Sequence, residues 1–200
     1  MMELPDYFTW SFAQPRRGSE LPTEPDELMD FAQERAEVRL RSKTYLKTKL
    51  YALTPHGFLI FTAHSMMDDH DKQQFVTCAR LLLSGYEATA AATCMEVMMT
   101  FCGKARDHGE MEEHREPKEA VSIMVETCAG IDWRLLPMRR DAGQRFIGFA
   151  QSIVDSGDKV SGRFTELLPP IPPSPTMAAL CRSLLEEIRK RRDGFTGMRD

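Results

Sequence analysis

The sequence predicts an α+β fold: a mixed, mainly antiparallel sheet with two helices packed on it and a C-terminal helix beyond a proline-rich spacer. Three observations carry this. Short stretches alternate apolar and polar residues at period two, as in Val121, Ile123 and Val125 against Ser122, Met124 and Glu126, the pattern of a strand. Two longer stretches place apolar residues at helical spacing behind good start signals, after Thr23 and after Asp68. The run PPIPPSP over 169–175 puts five prolines in seven residues, which no helix or central strand accepts and which favours an extended spacer.

Residues 58–101 are the stretch around which the chain is organised. They hold the most apolar segments and a tight cluster of metal-capable side chains. Hydrophobic residues make up 42% of the 200 and charged residues 28%, close to the globular average, so a sizeable core is expected. The boundaries read as an arm over 1–23, a globular α+β domain over 24–168, the spacer over 169–175, and an amphipathic helix with its tail over 176–200.

In chain order, the arm carries Tyr7, Phe8, Trp10 and Phe12 among Pro5, Pro15, Gly18 and Pro22. The prolines and glycine argue against a regular element, and the aromatics argue that part of the arm packs on something. A helix is predicted over about 24–39, with Thr23 able to cap, Pro25 suited to the first turn and acids matching the positive end of the dipole. A hairpin follows: a strand near 44–53 with one wet face carrying Lys47 and Lys49, a turn at Thr54-Pro55-His56-Gly57, and an apolar central strand near 58–64. A helix through 43–53 is the competing reading. A second helix is predicted at 69–84, capped by Asp68 or Asp69, with Gly85 just past its end. Residues 86–103 mix helix formers with strand formers. A strand over 87–101 beside 58–64 buries both runs, and a helical hairpin is the alternative. Strands near 119–127, 131–138 and 144–151 complete the sheet, with Gly148 as a bulge or close-packing point. On the last helix, Leu180, Leu184 and Ile188 step by four beside Met177 and Leu185.

The formal charge of −4 weighs against a protein built to coat nucleic acid. Five scattered cysteines without a C-x-x-C pair fit reduced thiols in the cytoplasm better than a disulfide framework. The N-terminus lacks the pattern of a signal peptide, and no window approaches the ~18 apolar residues of a membrane span.

Two clusters bear on chemistry. His64, Asp68, Asp69, His70 and Asp71 combine imidazole and carboxylate, a donor set suited to a divalent metal, the only cofactor class to which the sequence points. Set against that, aspartates at a helix start serve to cap its free amides, and the spacing matches no metal motif with a known mechanism. The loop carrying His108, Glu110, Glu112, Glu113 and His114 could complete such a site, or be a solvated loop. No nucleophile elbow, phosphate loop or zinc-finger spacing is present, so no catalytic residue is named.

The leading expectation is therefore a non-enzymatic binding or assembly module, forming a homo-oligomer or holding a protein partner through Leu180, Leu184, Ile188, Arg189, Arg191 and Arg192. Deleting 169–200 should then change oligomeric state or partner binding. The alternative is a metal-dependent hydrolase or nuclease around His64 and Asp68. A third reading has Arg189–Arg192 touch DNA phosphates.

Overall fold

The computed structural model describes residues 8–14, 20–43, 45–64, 66–99, 118–154 and 162–196, except for the side chains of 154 and 191–196. Among these are β1 (Phe8–Phe12), α1 (Pro25–Ser42), β2 (Lys49–Thr54), β3 (Gly57–Ala63), α2 (Asp69–Gly85), β4 (Ala90–Met99), β5 (Lys118–Thr127), β6 (Gly130–Arg140), β7 (Phe146–Phe149), β8 (Ile153–Val154) and α3 (Pro175–Thr196). The fold is α+β. The strands form one sheet in the order β1-β3-β2-β4-β5-β6-β7, with β8 also pairing with β6. Every pairing is antiparallel.

The sheet is buried on both faces. On one, α1 lays Leu28, Phe31, Ala32, Ala36 and Leu40 over Tyr51, Phe58, Cys94, Ile123 and Leu136. Phe31 stands edge-on to Tyr51 and Phe58, with ring centroids 5.3 and 5.2 Å away. On the other, α2 lays Phe75, Ala79, Leu82 and Leu83 over Leu50, Leu59 and Phe61. Phe75 stacks on Phe61 at 4.9 Å and meets Phe8 at 6.3 Å and Phe164 at 6.0 Å. Alternation along each strand supplies the two sets of side chains.

Five expectations are corrected. The arm does contain a regular element, β1, because F-T-W-S-F alternates at period two and the prolines lie outside it. Two-faced cover removes the expected wet face of β2: α1 buries Tyr51, and burial raises its pKa and lowers that of Lys49. β4 does not lie beside β3, because β2 pairs with both and separates them. The N-cap of α1 is Glu24 rather than Thr23, and the Glu27 carboxylate accepts from the amides of both (2.8 Å from Thr23, 3.2 Å from Glu24). Gly85 is the last residue of α2, not the residue past it, and Glu87 takes the left-handed conformation at φ 53°. Gly85 is small for a different reason. An added Cβ would lie 3.3 Å from the Arg182 nitrogen and the Cys181 Cβ, where α3 crosses.

Candidate functional site

The acidic cluster at the start of α2 is spread among separate partners. Asp68 is the N-cap, its side chain accepting from Asp71 N at 2.8 Å. Asp71 is buried and accepts from Met67 N at 3.0 Å. Asp69 points to solvent and pairs with Arg163 at 2.8 Å. The Arg163 hydrogen bond and charge hold its carboxyl below the usual range. His64 faces a cation, since the Lys47 ammonium lies 2.7 Å from Nδ1 while Nε2 lies 3.2 Å from Thr9 Oγ1. Partial burial and then Lys47 depress its pKa. His70 Nε2 lies 2.7 Å from Gln74 Nε2, one turn along the same helix. Among the described residues no group of three or more His, Cys, Asp or Glu is placed to hold a metal ion. The loop with His108 and His114 lies outside the described residues.

Capping gives Asp68 a measurable role. Replacing it with alanine is expected to lower stability by about 1 kcal/mol by freeing the Asp71 amide. A urea midpoint series checks this, and a change indistinguishable from zero would contradict the capping role.

A cleft of about 1300 Å³ opens between α1, residues 20–23 and the β2–β3 turn. Two of its four acids, Glu27 and Asp30, are already engaged. Glu27 caps α1, and Asp30 pairs with Arg134 at 2.8 Å.

The feature that stands out is α3. It carries two apolar stripes. Ala178, Cys181 and Leu185 are buried. Met177, Leu180 and Leu184 remain 51%, 54% and 45% exposed, and Ile188 is half-buried. The period-four stripe legible in the sequence is thus mostly left in water, while a smaller-residue stripe meets α2. Small residues win there because the two helices approach closely at Gly85.

The position of α3 follows from its contacts. Arg163, Arg80 and Phe164 tie 162–168 to one side of α2, and Leu167 and Leu168 reach Glu126 of β5. On the opposite side of α2, Arg182 donates to Gly85 O at 2.6 Å. Farther along α3, Arg189 stacks over the Trp10 ring of β1 at 6.0 Å. The helix therefore lies on the β1 flank. At roughly 100° per residue, Met177, Leu180 and Leu184 point about a quarter-turn from the inner stripe and away from the Arg182 side that touches α2. They lie in solvent, turned away from α2.

Arg189 is engaged with Trp10, and the side chains of Arg191 and Arg192 lie outside the described ones. No helix among the described residues is long and apolar enough to cross a membrane. No family model, no curated protein and no solved structure matches the chain, and the functional reading therefore stands on its own geometry.

Proposed function

We propose that the protein is a non-enzymatic assembly module that packs the outer stripe of α3 against a second copy of itself. The observation that carries this is the pair of stripes on α3, one used in the core and one exposed. A second copy is the natural occupant because it presents the same apolar stripe, and two-fold homodimers are the commonest oligomers. An antiparallel copy sets Leu180 and Leu184 against their counterparts. Three side chains make a small patch, so association through it alone is expected to be concentration-dependent. The proposed setting is the cytoplasm, in keeping with the described cysteines, which are all free thiols.

Deleting 169–200 is a poor test, because it would also strip Leu185 and Cys181 from the core. The double substitution Leu180→Glu/Leu184→Glu is the sharper one. Both side chains are exposed, so the melting temperature should hold while light scattering shows the dimer lost. A variant that self-associates like the wild type would overturn the proposal.

A further inference from the structure

We infer that Arg35, Arg39, Lys47 and Lys49 form an anion site for a compact, multiply charged phosphate group of a soluble ligand, with pyrophosphate as its simplest form. The site lies on the α1 side of the sheet. The exposed stripe of α3 lies on the α2 side, so losing either feature leaves the other intact.

The first support is placement. Strand alternation puts Lys49 on the face of β2 that carries Tyr51 and Leu53, beside α1. Neighbouring strands bring hydroxyls to the same face: Lys49 is opposite Thr62 of β3, and Thr62 is opposite Thr9 of β1. α1 lies chiefly over β4 and β5. Past its flank Thr62 is half-buried, and Thr9 and Ser11 are exposed. Arg35 and Arg39 follow Phe31 at four-residue steps, along the flank whose Phe31 ring meets Tyr51 and Phe58. Helix flank and uncovered sheet thus meet in a corner, with the two arginines as its wall and the two lysines as its floor.

The second support is that these charges are unopposed. Among the described residues none of the four forms an ion pair, whereas Arg41, Arg134, Arg140, Arg163 and Arg182 all do. Acids are not scarce, since the chain has 30 against 26 lysines and arginines. Glu96 of β4 instead accepts from Leu46 N at 2.8 Å. Lys47 Nζ donates to His64 Nδ1 at 2.7 Å, which leaves Nε2 to donate to Thr9 Oγ1 at 3.2 Å and keeps the ring neutral. Burial and then the Arg39 charge hold the Lys49 ammonium below the usual lysine range, and Arg35 and Lys47 add to that. Gathering like charges around a half-buried lysine works against folding, and departures of this kind concentrate at functional sites.

The third support is pre-organisation. The Arg35 guanidinium lies over the Phe31 ring at 4.9 Å, and that of Arg39 over the Tyr45 ring at 5.6 Å. Stacking fixes the guanidinium planes and leaves their N–H edges for the oxygens of a phosphate. The cations gather about one lysine, whereas a nucleic-acid strand needs a stripe of charge with open rings for its bases. Tyr45 is an exposed ring here, and Arg39 already lies over it. A compact ligand fits the corner better than a strand.

Titration calorimetry of the full-length chain with pyrophosphate, at fixed ionic strength, tests the site. Lys49→Met keeps the apolar stem and removes the unopposed charge. It should melt no lower than the wild type while binding pyrophosphate about tenfold more weakly or worse. Arg35→Gln/Arg39→Gln should weaken binding at least as much, and it serves in place of Lys49→Met should that variant not fold. Arg145→Gln removes a like charge at the β6–β7 turn and should bind as the wild type does. No binding at millimolar pyrophosphate, sulfate held as tightly as pyrophosphate, or equal weakening by Arg145→Gln would overturn the inference. A single-stranded RNA oligonucleotide held more tightly than pyrophosphate, and released by the same variants, would also overturn it and assign the corner to an extended strand.

Discussion

Phe75→Ala is expected to lower the unfolding free energy by about 3–5 kcal/mol, the usual range for truncating a fully buried phenylalanine. Phe75 is the hub of its layer. Its ring is fully buried and touches Phe8 on β1, Phe61 on β3 and Phe164 in the segment leading to α3. Removing it forfeits the transfer of the ring from water and leaves a hole that three other rings cannot fill without moving. The same ring fixes where α2 lies on the sheet. Its loss should therefore loosen the two elements that dock on α2, namely 162–168 and α3. Urea unfolding gives the magnitude, and amide exchange along α3 gives the second effect. A loss below about 1 kcal/mol would mean that the site collapses freely, against the close packing described.

Glu126 is expected to produce the other large effect, with a pH signature. It points from β5 into the α2 layer and is 4% exposed. One carboxylate oxygen accepts from Leu167 N at 2.7 Å and Leu168 N at 3.1 Å, and the other has no hydrogen-bond partner among the described residues. It thus pins the strap that delivers the chain to α3. Glu126→Ala leaves one buried and one part-buried amide without an acceptor and should cost about 2–4 kcal/mol. Glu126→Gln keeps a carbonyl oxygen for both and should cost less.

Titration separates these terms. Burial raises the pKa of Glu126, the two amides and Arg80 oppose that, and the net shift is upward. The folded protein therefore holds a proton at a pH where the unfolded chain has lost it. This stabilisation is fully present below the unfolded value and is lost as pH rises through the higher folded value. Over that window, wild type should lose stability relative to Glu126→Gln as pH increases. A stability difference between the two that does not move with pH would show the carboxyl to be unperturbed by burial.

Most strands and all three helices are legible in the sequence because each carries its own period. β5, β6 and the capped start of α2 at Asp68 are examples. What escapes is set by distant parts of the chain. β1 is obscured by the prolines around it, although F-T-W-S-F alternates. The insertion of β2 between β3 and β4 is a matter of topology, which local pattern does not encode. On α3 both stripes are apolar, and only the close approach to Gly85 decides that Ala178 and Cys181 go inside while Leu180 and Leu184 stay out. Glu126 reads as one polar residue of an alternating strand. Its partners lie 41 and 42 residues away.

The candidate site divides along the same line. Asp68 as a cap follows from its place before a helix. The dispersal of His64, Asp69 and His70 depends on Lys47, Arg163 and Gln74, and of these only Gln74, one turn along α2, is a local neighbour.

Sedimentation velocity of the full-length wild type over about a 100-fold range of concentration tests the assembly reading most directly, since mass action must shift a self-associating chain. The expected result is a mass rising from one chain toward two and levelling there, as closed two-fold pairing requires. The mass of a single chain at every concentration would contradict it.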